Sequence, residues 1–126
     1  MRFAGVCLIT QDVAALRDFY AAVLQLEAVG DNTFAAFVTG GASLSIYSMQ
    51  GTAQMAPGCM RGTGRGRFTL EFEVDDVDQE YERLTAMHVP IVKPPATYPW
   101  GRRSVWFRDP DGNIVNFNAL MPVTGA

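Results

Sequence analysis

The chain contains the same segment twice. Val6-Cys7-Leu8-Ile9-Thr10-Gln11-Asp12-Val13 and Leu70-Glu71-Phe72-Glu73-Val74-Asp75-Asp76-Val77 stand 64 positions apart. Each runs from a strand-like stretch through Asp-Val into a helical pattern. Such a repeat limits the fold more than any single motif does, because each copy must form the same supersecondary unit. Asp12 and Asp76 are placed to cap helices, since a short carboxylate accepts from the unpaired N–H groups there and suits the helix dipole. After Asp12, Val13, Leu16, Tyr20, Val23 and Leu24 recur at spacings of three and four. After Asp76, Val77, Tyr81, Leu84 and Met87 do the same.

Short strand candidates follow each helix: Thr33–Val38 and Ser43–Met49 in the first copy, and Ile91–Val92, Ser104–Arg108 and Ile114–Asn118 in the second. Asp109-Pro110-Asp111-Gly112 predicts a tight turn, with Pro fixing φ and Gly supplying a positive φ. The expected class is α+β, two βαβββ repeats forming a cupped mixed sheet. They are expected to make a single domain over 1–126, with repeat one at 1–50, a linker at 51–66 and repeat two at 67–122. Two halves of about 55 residues are each too small to be secure alone, so they should pack together. With helices on one face of each sheet, the opposite faces would curve into a concave site for a small molecule.

Composition excludes several partners. Ten Lys and Arg against thirteen Asp and Glu give a net charge of −3, which offers no footprint for nucleic acid or anionic membrane. No apolar run approaches the roughly 20 residues of a membrane span, and the opening residues resemble a strand rather than a cleavable signal. Two cysteines are too few for a disulfide framework, and Cys7 in its apolar run reads as a buried, inert thiol. The expectation is a cytoplasmic protein.

Taken in order, Asp12-Val13, Asp18-Phe19-Tyr20, Val23-Leu24-Gln25-Leu26, Val74-Asp75-Asp76-Val77-Asp78, Pro99-Trp100-Gly101 and Phe107-Arg108-Asp109-Pro110-Asp111-Gly112-Asn113 resemble the glyoxalase/bleomycin-resistance/extradiol-dioxygenase superfamily, the vicinal oxygen chelate fold. The resemblance covers nearly the whole chain and implies a homodimer. It also implies where a divalent metal would be held: seven residues before each helix-capping Asp, and after the Asp-Pro-Asp-Gly-Asn turn. Those positions are Gly5, Thr69 and Asn116. Glycine has no ligating side chain, and Thr and Asn are weak neutral donors. The single histidine, His88, follows the second helix and is read as a partly exposed structural residue. No metal and no other cofactor is expected, so the metal-dependent activities of the family are not expected either. The resemblance points instead to its antibiotic-binding branch.

Strand alternation places Cys7 and Ile9 with Gly5, and Glu71 and Glu73 with Thr69. If the turn is a three-residue loop with a Gly bulge, it pairs Asp109 with Asn113 and sets Trp106 opposite Asn116. A slip of one residue would bring in Val105 or Phe107 instead. Glu71 and Glu73 read either as holders of a cationic ligand or as rim residues solvated or paired with Arg103 or Arg108. Tyr98, Trp100 and Trp106 are suited to stacking on a planar or cationic group, though core packing explains Trp106 nearly as well. Cys7, Tyr47, Thr69, Glu71, Trp100, Trp106 and Asn116 are therefore the expected contacts for an aromatic or cationic small molecule, an antibiotic among the candidates. The alternative is a metal-independent lyase or isomerase with Glu71 as acid or base, working with Asn116 or Tyr47.

Overall fold

The computed structural model describes residues 1–122, which fall into two compact units, Met1–Gly64 and a second that begins at Arg65. The first unit holds β1 (Gly5–Thr10), α1 (Val13–Leu24), β2 (Val29–Gly30), β3 (Phe34–Phe37), β4 (Ser43–Ser48) and α2 (Met49–Met55). The second holds β5 (Thr69–Glu73), α3 (Val77–Ala86), β6 (Ile91–Thr97), β7 (Arg102–Arg108) and β8 (Ile114–Leu120). Their sheets run β1-β4-β3-β2 and β5-β8-β7-β6, with β1 parallel to β4 and β5 parallel to β8. The sequence repeat is thus a repeat of topology.

Asp12 Oδ1 accepts from the Ala15 amide at 3.0 Å, and Asp76 Oδ1 from the Gln79 amide at 3.1 Å. Both helices also end alike. Gln25 and His88 each take a left-handed backbone, at φ 55° and 60°. Around His88, the Val89 amide donates to the Leu84 carbonyl and the His88 amide to that of Thr85, a Schellman closure. His88 therefore serves as a helix terminator, and it is exposed.

Alternation separates two faces in each sheet. In the first unit Leu8, Ala35, Phe37, Leu44 and Ile46 are buried on the side where α1 packs through Val13, Leu16, Tyr20 and Val23. In the second, Leu70, Val105, Phe107, Val115 and Phe117 are buried on the side that receives Val77 and Leu84 of α3. Phe117 sits edge-on to both Phe72 and Phe107, with ring centroids 6.0 and 4.9 Å away.

Four elements depart from the sequence expectation. The segment after β4 begins as the helix α2 rather than as loop: Ser48 caps it by accepting from the Gly51 amide, and the Thr52 hydroxyl bonds back to the Met49 carbonyl. β7 and β8 run beyond the expected ends, to Arg102 and Leu120. The strand β6, expected to stop at Val92, continues through Pro94 and Pro95 to Thr97. Proline lacks the N–H that a central strand needs, but β6 lies at the sheet edge and its pairing with β7 slips on both sides of Lys93. Those slips decide which side chain meets Trp106.

Candidate functional site

The face of the second sheet opposite α3 carries a polar row. Register pairs Glu71 with Asn116, Asn116 with Trp106, and Trp106 with Lys93, so one residue from each of β5, β8, β7 and β6 lies in line. The turn at 109–113 sets part of this register: the Asp109 amide donates to the Asn113 carbonyl at 3.0 Å, and Gly112 supplies a φ of 87°. Trp106 therefore stands opposite Asn116, as the three-residue loop predicts.

A directed chain of hydrogen bonds runs across this face. Arg102 Nη1 donates to Asn118 Oδ1 at 3.0 Å, Asn118 Nδ2 to Asn116 Oδ1 at 3.3 Å, and Asn116 Nδ2 to Glu71 Oε1 at 3.3 Å. The guanidinium at one end can only donate and the carboxylate at the other only accepts, so the ends fix both amides in one orientation. Asn116 and Asn118 are buried, whereas Glu71 is exposed and presents its carboxylate outward. The chain joins a buried amide pair to a solvent-facing anion.

Beside it lies a cationic and aromatic cluster. Lys93 Nζ donates to both the carbonyl and the hydroxyl oxygen of Ser104, each at 2.9 Å. The ammonium stands 4.8 Å from the Tyr98 ring centroid and 5.7 Å from that of Trp106. Tyr98 stacks on Trp100 at 4.8 Å and 7°. Trp100, at the tip of the β6–β7 hairpin, is 72% exposed, so one ring face stays open to a ligand. Among the described residues, Trp106 Nε1 is the buried side-chain polar atom without a hydrogen-bond partner.

Glu71, Trp106 and Asn116 thus stand in a single row, joined through Lys93 and Tyr98 to Trp100. Thr69 is half-buried on the same face at the start of β5, opposite Ile114. Tyr47 and Cys7 belong to the first unit. The Tyr47 ring lies edge-on to Phe34 and fills the space where a side chain on Gly51 would stand. Cys7, expected to be buried, is exposed, because it faces away from α1 in register with Ser45. Lys93, Arg102 and Asn118 escaped the sequence reading. The arginine near Glu73 is Arg102, at 3.6 Å, rather than Arg103 or Arg108. Strand parity turns Arg103 to the helix side, where it grips Asp78, and Arg108 donates to the Gly112 carbonyl.

The Arg103 guanidinium holds the Asp78 carboxyl below its usual range through their hydrogen bonds. A carboxyl lowered in the folded state adds stability above its unfolded value, and that stability is lost as pH falls through the folded value. Arg103→Met should return Asp78 to an ordinary carboxylate titration and remove its share of the acid dependence. Carboxyl-carbon NMR of parent and variant checks this, and an unmoved Asp78 titration would refute it.

A model of the Glyoxalase/Bleomycin resistance protein/Dioxygenase superfamily matches residues 2–117. The chain belongs to this superfamily. The uncharacterised protein YraH of Bacillus subtilis (strain 168) is 26% identical over 128 residues, covering 96% of this chain and all of YraH. A glyoxalase/bleomycin resistance protein/dioxygenase from Nocardioides superposes with a TM-score of 0.79 at 27% identity, covering 98% of this chain and 86% of that one. A lactoylglutathione lyase from Agrobacterium tumefaciens does so at 0.72 and 27%, covering 91% and 90%.

The residues that the resemblance puts at metal positions are poor metal ligands. A Cβ on Gly5 would lie 2.2 Å from the Ser43 carbonyl oxygen, so the β1–β4 pairing leaves no room for a ligating side chain there. Thr69 is a neutral hydroxyl, and Asn116 spends its amide on Glu71 and Asn118. Among the described residues, no group of three or more His, Cys, Asp and Glu is arranged to hold an ion. No helix among them is long and apolar enough to cross a membrane.

Proposed function

We propose that this superfamily member binds a small aromatic or cationic molecule, antibiotics among the candidates, without a catalytic metal. The observation that carries this reading is the Arg102–Asn118–Asn116–Glu71 chain. Burying two amides on a sheet face is costly unless every group is paired, and here the pairing ends on an exposed carboxylate. That carboxylate suits a cationic group, and the open face of the Tyr98–Trp100 stack suits a planar one.

Thermal-shift screening of antibiotics and amine metabolites should find ligands that stabilise the protein. For such a ligand, Trp100→Ala and Glu71→Gln are each expected to weaken binding roughly tenfold, about 1.4 kcal/mol, with the melting temperature nearly unchanged. Binding should survive exhaustive chelation. Unchanged affinity in both variants, or loss of binding after chelation, would overturn the reading. A second reading draws on the Asn116–Glu71 hydrogen bond, which orients Glu71 as a proton carrier for a lyase or isomerase. It requires turnover of the bound molecule that Glu71→Gln abolishes.

A further inference from the structure

We infer that the indole N–H of Trp106, together with the ammonium of Lys93, forms a receiving site for a carboxylate on the ligand. This deepens the proposed binding role of the same sheet face and rests on it. Trp106 Nε1 is shut off from solvent and has no acceptor within the described residues. A buried donor left in that state is destabilising, and an incoming oxygen would relieve it. Indole is a donor only, so the missing partner must be an acceptor.

Lys93 supplies the second donor. Two of its three N–H bonds go to the Ser104 oxygens, and the ammonium otherwise stands over the Tyr98 and Trp106 rings, a weaker contact that a carboxylate oxygen at the third N–H would replace. Its ammonium lies 5.7 Å from the Trp106 ring centroid, close enough for both donors to serve one ligand group. Entry requires a small side-chain movement, which the flexible lysine stem allows. Two donors and one positive charge match the two oxygens of a carboxylate, whereas a phosphate asks for more of both.

The row also sets the length of the ligand. Glu71 leans over β8 to reach Asn116, and Lys93 leans over β7 to reach Ser104. The two charges therefore lie beside Asn116 and Ser104, one strand across and two residues along, since Ser104 pairs with Asn118. With strands spaced about 4.8 Å apart, the gap between them is roughly 5–10 Å. A benzene ring carrying an aminomethyl group and a carboxylate at opposite positions fits that gap. The class implied is a small aromatic amino acid with its charges at opposite ends.

The test uses the full chain labelled with 15N, whose two indole N–H signals are assigned through Trp100→Phe. Benzoate, benzylamine and 4-(aminomethyl)benzoate are titrated to millimolar concentration. Benzoate should shift the Trp106 indole proton downfield in a saturable way. The compound with both charges should bind roughly tenfold or more tightly than either parent. Lys93→Met and Trp106→Phe should each weaken benzoate roughly tenfold and leave benzylamine unaffected; if one fails to fold, the other decides. If benzylamine binds in a Glu71-dependent manner while benzoate leaves the Trp106 signal still, the carboxylate site is wrong and the binding role stands. If none of the three binds, both are wrong.

Discussion

Replacing Phe117 with alanine should lower the unfolding free energy by about 3–5 kcal/mol. Phe117 is 2% exposed at the centre of β8 and lies edge-on to Phe72 and Phe107. Truncation removes the transfer energy of the ring and leaves a void that a sheet held on both sides fills poorly. Paired aromatic geometry adds about 0.5–1.5 kcal/mol beyond area burial. Urea denaturation of parent and variant measures the difference; a loss under about 1 kcal/mol would mean that this face is not the core of the second unit. Asn116 and Asn118 flank Phe117 but point to the other face, so ligand affinity per folded molecule should change little.

That division of labour along β8 was legible in the sequence, because a strand turns successive side chains to opposite faces. The repeat, the capping aspartates and the apolar helix stripes needed only local physics. The pairing of Trp106 with Asn116 also came from local chemistry, since one proline and one glycine fix the length of the turn. Lys93 was out of reach for the opposite reason. Pro94 and Pro95 mark the end of a strand by every local rule, yet an edge position absorbs them, and the slips beside them move Lys93 into the Trp106 row. Likewise, the choice of Arg102 over Arg103 depends on parity carried across three strands. The exposure of Cys7 depends on what covers a face, and alternation is silent about that.

Asn116→Asp should have the other large effect, and its sign with pH is diagnostic. The substitution keeps the shape but replaces the donor that reaches Glu71 Oε1 with a second carboxylate at a buried position. Burial and a like charge both disfavour ionisation, so the introduced carboxyl should titrate above its unfolded value, near 3.9. A group raised in the folded state destabilises fully above that folded value, and the penalty fades as pH falls through it and is gone below the unfolded value. The variant should therefore lose about 2–4 kcal/mol at neutral pH and recover most of it, relative to the parent, in acid. Urea denaturation of both proteins across this range would expose the account as wrong if the loss were equal throughout. Zinc or nickel should not rescue the variant at neutral pH, because Thr69 on the same sheet face brings neither carboxylate nor imidazole to an ion. Stabilisation by stoichiometric metal would instead show that one amide-to-acid change restores a metal centre, and the metal-free reading of this family member would fall with it.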